Sequence, residues 1–109
     1  MKGCHKIYAV IAKLAPDRCR EFHLKLTDGT ISNLRPDGSE IVASMARARI
    51  DNSGSVRWTE TCYCRTPLAH ERETVLDRYF SDIETEVVDR HADFDGEPLM
   101  DRLDALSNS

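Results

Sequence analysis

A chain of 109 residues, 40% hydrophobic and 31% charged, is long enough to bury one core and reads as a single soluble domain spanning residues 1–109. Its net charge of −4 works against bulk electrostatic binding to nucleic acid or to an anionic membrane, so any basic site must be local. No apolar run approaches the roughly 18 residues of a membrane span, and four cysteines in a chain of this length are not a disulfide scaffold.

Lys6 to Leu14 is a β-rich run, apolar on both faces, as a central strand requires. With Met1 to His5 ahead of it, the run from Ile7 to Ala12 faintly mimics a signal peptide. Lys13 interrupts it early, however, and Asp17 and Arg18 stand where a cleavage site is wanted. The reading is therefore a strand of a cytoplasmic protein. Pro16 suits the first position of a helix, where its missing N–H costs nothing. Asp17 and Glu21 lie favourably in the early turns of that helix. Cys19, Phe22, His23 and Leu26 keep helical spacing, and Gly29 is a stop. Thr30 to Leu34 adds a further turn, and Arg35-Pro36-Asp37-Gly38 breaks the chain.

Ile41 to Cys64 reads as one β-hairpin bent at Asp51-Asn52-Ser53-Gly54. Asn52 and Ser53 suit a type I turn, and Gly54 supplies the positive φ of the bulge that follows. This turn pairs Asp51 with Ser55, Ile50 with Val56, Ala48 with Trp58, Ala46 with Glu60, Ser44 with Cys62 and Val42 with Cys64. The pairs from Ile50–Val56 outward share an apolar, inward face. The opposite face carries Arg49 with Arg57, Arg47 with Thr59, Met45 with Thr61, and Ala43 with Tyr63.

Thr66 caps and Pro67 opens a second helix with an apolar stripe of Leu68, Val75, Leu76, Tyr79 and Phe80. Ser81 to Asp89 returns to an extended pattern, with Ile83, Thr85 and Val87 on one face. A polar loop with Asp95-Gly96 leads to a short helix from Pro98, and Ser107-Asn108-Ser109 is a frayed end. The resulting order, βαββαβ plus a terminal helix, resembles the ferredoxin-like split βαβ arrangement in architecture. That resemblance implies a four-stranded antiparallel sheet with two helices on one face and the first and third strands at its centre. The arrangement hosts many functions and names none.

Three constellations carry chemistry. The first is the open sheet face, where Arg47, Arg49, Arg57 and Tyr63, with Thr59, Thr61 and Tyr8, suit a carboxylate or phosphate. RNA-recognition domains stack bases on such a face, but the third strand here lacks their glycine–aromatic pattern and Trp58 turns inward, so nucleic acid is not expected. Plain solvation and pairing of open faces between copies, with Glu84 and Glu86 as acidic partners, are the alternatives.

The second constellation is thiol-rich. Cys4 and His5 at the start of the first strand lie near Cys62 and Cys64, with His70 approaching the same edge. Residues two apart on a strand place their Cα atoms about 6.5–7 Å apart, within reach of one Zn²⁺. The spacing is not a standard zinc pattern, and small buried thiols are the plainer alternative.

The third is Glu60, turned inward beside Trp58. Desolvation there raises its pKa toward the acid–base range, with His23 or Arg72 as its partner. A buried structural pair is the competing account. His70-Glu71-Arg72-Glu73 is read as a solvated face. The functional expectation is a small cytoplasmic binding or accessory module that forms homo-oligomers and uses the basic face for an acidic protein surface or a small anionic ligand. The rival readings are a zinc-binding protein and a small enzyme using Glu60.

Overall fold

The computed structural model describes residues 6–35, 37–62 and 68–107, with the side chains of Cys62 and His70 excepted. Strand β1 (Lys6–Leu14) passes through a 3₁₀ turn (Pro16–Arg18) into α1 (Cys19–Thr27), followed by α2 (Gly38–Arg47), β2 (Arg49–Ile50) and β3 (Ser55–Cys62). Helix α3 runs on through Ala69–Glu71, a π turn at Arg72–Leu76, and Asp77–Tyr79; then come β4 (Phe80–Val88), β5 (Glu97–Pro98) and α4 (Leu99–Ser107). The class is α+β, with one antiparallel sheet of five strands in the order β4-β1-β3-β2-β5.

The hairpin turn forms as its residues dictate. Asp51 N donates to Ser55 O (3.0 Å), Gly54 N donates to Asp51 O (3.1 Å), and Gly54 takes φ +86°. Asp51 Oδ1 accepts from Ser53 N (2.8 Å), Ser53 Oγ (2.6 Å) and Ser55 N (3.1 Å), which locks the bend. Ile50 pairs with Val56 and Arg49 with Arg57, in the expected register.

There the hairpin ends. The expected pairs of Ala46 and Ser44 with β3 do not form, because Gly38–Arg47 is a helix. Ala48, extended just past it, donates to Met45 O and accepts from Leu99 N and is not laddered to Trp58, and Cys64, the expected partner of Val42, lies outside the described residues. Its buried residues Ile41, Ser44 and Met45, with Ala48 just beyond, recur at intervals of three, one and three. That is helical periodicity, carried by the strong helix formers Glu40, Ala43, Met45, Ala46 and Arg47. Small residues at 42, 44, 46 and 48 had satisfied an alternating pattern equally well. Met45, expected on the outer face, is fully buried in the core.

Side chains of α2 nevertheless complete the edge of β3 that a longer β2 would have covered. Arg47 Nη2 donates to Thr59 O (2.8 Å), and Glu40 Oε2 accepts from Thr61 N (2.9 Å). The two side chains also pair with each other at 3.4 Å. Backbone groups of a strand edge left open invite pairing with another chain, so this substitution also protects the edge.

The pleat of the sheet sorts its faces cleanly. Tyr8, Val10 and Ala12 of β1, Ile50 of β2, Val56, Trp58 and Glu60 of β3, and Phe80 of β4 are buried. The helices cover this side, where Phe22 stacks on Tyr79 (4.3 Å between centroids) and meets Phe80 edge-on (5.6 Å); Trp58 lies 5.1 Å from Phe80. Leu99 and Leu103 of α4 are fully buried in the same core.

Because β4 and β5 lie at opposite edges of the sheet, residues 89–96 must cross it. They do so over the face away from the helices. His91 bonds the hydroxyls of Thr59 and Thr61, and Gly96 O accepts from Arg49 Nη1 (3.2 Å). The crossing lands on Gly96, at φ +122°, where an added Cβ would sit 2.7 Å from Ile50 O.

Gly54 and Gly96 therefore differ in a measurable way. Gly54→Ala meets nothing within 4 Å and incurs only the left-handed strain of an L-residue, about 1–2 kcal/mol. Gly96→Ala adds a backbone collision to that strain and separates β5 from β2. Urea denaturation should therefore show the larger loss for Gly96→Ala, by about 1 kcal/mol or more.

Candidate functional site

Two places combine chemistry with geometry, one on each side of β3. On the helix side, strand alternation sets Glu60 beneath the helices, fully buried next to Trp58. The indole Nε1 donates to Glu60 Oε1 (2.8 Å), while Oε2 has no hydrogen-bond partner among the described residues. Glu71, at the start of α3, is also fully buried. Burial chiefly, then the charges of Glu71 and Glu40, push the Glu60 carboxyl up to about 8, against the opposing effect of the Trp58 hydrogen bond. Two buried carboxyls cannot both ionise at low cost, so the pair favours keeping a proton at neutral pH, and burial raises the Glu60 carboxyl in that direction.

The partners expected for Glu60 are occupied elsewhere. His23 sits between α1 and α4, 3.4 Å from Ser107 Oγ and 3.7 Å from Asp104 Oδ1. Arg72 Nε bonds Asp77 Oδ1 at 2.9 Å. Glu71, read from sequence as part of a solvated face, is the neighbour instead. Its position carried a signal: it follows Leu68 by three residues and precedes Val75 by four, on the apolar stripe of α3. The π turn that begins just after it is a geometry found often at functional sites.

On the other side, the expected arginine patch is smaller than its residues implied. Arg49 and Arg57 face each other across β2 and β3. Arg49 bonds Gly96 O, and Arg57 Nη1 bonds Asp51 Oδ2 at 3.1 Å. Arg47 belongs to α2 and is spent on Thr59 O, Glu40 and Ser44. Tyr8 turns into the core and does not join this face.

The residues that do gather here define a pocket of about 380 Å³ under the crossing segment. Ala9 and Ile11 of β1 form its floor, Arg57 of β3 and Glu84 and Glu86 of β4 flank it, and Phe94 of the crossing segment lines it as well. Cross-strand register puts Arg57, Ile11 and Glu84 in one row, and Thr59, Ala9 and Glu86 in the next. His91 Nδ1 and Nε2 bond Thr59 Oγ1 (2.7 Å) and Thr61 Oγ1 (3.3 Å) beside it, tying the crossing segment to the sheet. A concave, partly apolar site of this size with a few converging polar groups suits a small ligand. Phe94 and His91 lay in a stretch that read from sequence as loop.

Of the thiol and imidazole set, Cys4, His5 and Cys64 lie outside the described residues, as does Tyr63; Cys62 and His70 are described in backbone only. Among the described residues, no group of three or more His, Cys, Asp or Glu is arranged to hold a metal ion. No helix among them is long and apolar enough to cross a membrane. The chain matches no known family model, no curated protein and no solved structure.

The buried carboxyl fixes a pH dependence. The unfolded chain releases this proton near the ordinary value of 4.5, whereas the native state keeps it to about 8. The native state thus binds more protons between those values, and stability falls as pH rises through that window, by at most about 1.4 kcal/mol per pH unit for one proton. Glu60→Gln should flatten this slope, gaining on the parent protein steadily from pH 5 to pH 8 in urea midpoints. Parallel curves for the two proteins would mean that Glu60 is ionised in the fold.

Proposed function

We propose that this protein is a non-catalytic binding module whose small ligand sits on the open sheet face, in the pocket between β1, β3, β4 and Phe94. The observation that carries the reading is that pocket: a floor of Ala9 and Ile11, lined also by Phe94, with charged side chains at its margins. A ligand there contacts residues from three strands and the crossing segment, so binding should rigidify all four. Arg57 keeps donors beyond the one given to Asp51 and is the anion-recognising group. Arg49 supports the wall through Gly96.

The architecture fits this use. We assign the first four strands to the ferredoxin-like arrangement, on the strength of their β4-β1-β3-β2 order and uniformly antiparallel pairing, with β5 and α4 as additions. Under this assignment the chain between β4 and β5 is the added element that converts a bare sheet face into a pocket. The homo-oligomeric state, the cytoplasmic location and zinc binding are proposals resting on the residue pattern. Gel filtration, fractionation and metal analysis of protein purified without chelator test them in turn.

A second reading, acid–base catalysis by Glu60, is supported by its raised pKa and the neighbouring Glu71. Its complete burial ranks it second, since a general acid must come within hydrogen-bond reach of its substrate. His23, held by Ser107 and Asp104, would play no part in it.

The binding reading is tested by NMR titration of a panel of carboxylate, phosphate and amine metabolites. Shift changes should concentrate at Ala9, Ile11, Arg57 and Phe94. Ala9→Leu, which fills the floor, should abolish them while leaving the folded spectrum intact. A ligand at 100-fold its dissociation constant should also stabilise the protein by about 2.7 kcal/mol. Shifts confined to the helix side of the sheet would refute the assignment.

A further inference from the structure

The charges around this pocket define the ligand more narrowly than its shape does. Glu84 and Glu86 project from the same face of β4, two residues apart, and neither is in an ion pair among the described residues. Arg57 faces them from β3, with only β1 between. Two strand spacings separate Arg57 from Glu84, about 10 Å between Cα atoms, and Ile11 lies midway along that row. One side of the pocket is therefore anionic and the ground between is apolar; on the other side Arg57 gives Nη1 to Asp51 Oδ2 (3.1 Å) and keeps its remaining guanidinium donors for a second carboxylate.

We propose that the ligand is a small zwitterion whose ammonium and carboxylate are held apart by an unbranched apolar spacer, the ammonium at Glu84 and Glu86 and the carboxylate at Arg57. This rests on the pocket being the binding site. Charge complementarity removes the other ligand types in turn. A phosphate ester or dicarboxylate sets a negative charge against the two glutamates, and a diamine sets a positive one against Arg57. An uncharged apolar molecule would strip water from all three charged groups and return no hydrogen bond. Only a ligand with opposite charges at its two ends meets an opposite charge at each.

The spacer follows from the distance between the ends. An α-amino acid carries both charges on one carbon and reaches one side only, whereas a chain of about five methylenes spans the row across β1. Such a chain would lie on Ile11 and Ala9 against Phe94, which lines the same pocket.

Four probes of equal carbon count separate these demands: ε-aminocaproate, caproate, hexylammonium and norleucine, the last an isomer of the first with both charges at one end. By isothermal titration at low salt, ε-aminocaproate should bind about five-fold more tightly than each of the other three, the equivalent of one ion pair of about 1 kcal/mol lost in each. The double variant Glu84→Gln, Glu86→Gln should reduce its affinity to that of caproate, and Arg57→Gln to that of hexylammonium. Both variants should keep the parent NMR fold. If caproate or hexylammonium binds as tightly as ε-aminocaproate, or if norleucine equals it, the zwitterion assignment is wrong while the pocket stands. If none of the four binds but a member of the metabolite panel shifts Ala9 and Ile11, the assignment again falls alone. If nothing shifts those residues, the binding reading falls with it.

Discussion

The pleat of β3 is the constraint on which both candidate sites depend. Because successive side chains point to opposite faces, seating Trp58 in the core commits Glu60 to the core as well and commits Arg57, Thr59 and Thr61 to the other side. A buried carboxyl is a heavy cost, reduced here by the indole hydrogen bond and by retention of the proton. The same alternation that hides one carboxyl thus places a guanidinium and two hydroxyls where the crossing chain can use them.

That crossing is a consequence of strand order. With β4 at one edge and β5 at the other, the intervening chain has to pass over a face of the sheet, and the helices already fill one of them. The remaining face is polar along β3 and β4 and apolar only along the middle of β1. The segment is fastened at the polar places, by His91 to two threonines and by Gly96 to Arg49, and arches over the apolar one with Phe94. A pocket forms because the fastening points flank the floor and do not lie on it.

Helix α2 addresses a separate difficulty. A two-residue β2 leaves much of the β3 edge without a strand, and open strand edges promote association between chains. Arg47 and Glu40 supply a donor and an acceptor in the places where a longer strand would have supplied backbone groups. Arg47 is thereby taken from the sheet face where its alternation with Arg49 had suggested it belonged. The patch of three arginines becomes two, each already engaged, and the acidic members of β4 are, among the described residues, charges of the face without an ion pair.

Local chemistry in the chain was sufficient for the turn at Asp51 to Gly54, for the inward and outward sets of β3, for the burial of Glu60 and for helix α1, because each depends on residues within a few positions of one another. The choice of helix for residues 38–47 was not legible, since alanine and serine satisfy a period of two as readily as 3.6. Glu71 beside Glu60, the distance of His23 from that pair and the path of residues 89–96 were decided only by the tertiary structure. Each is a meeting of segments far apart in sequence, set by which sheet edge and which face the earlier elements had left vacant.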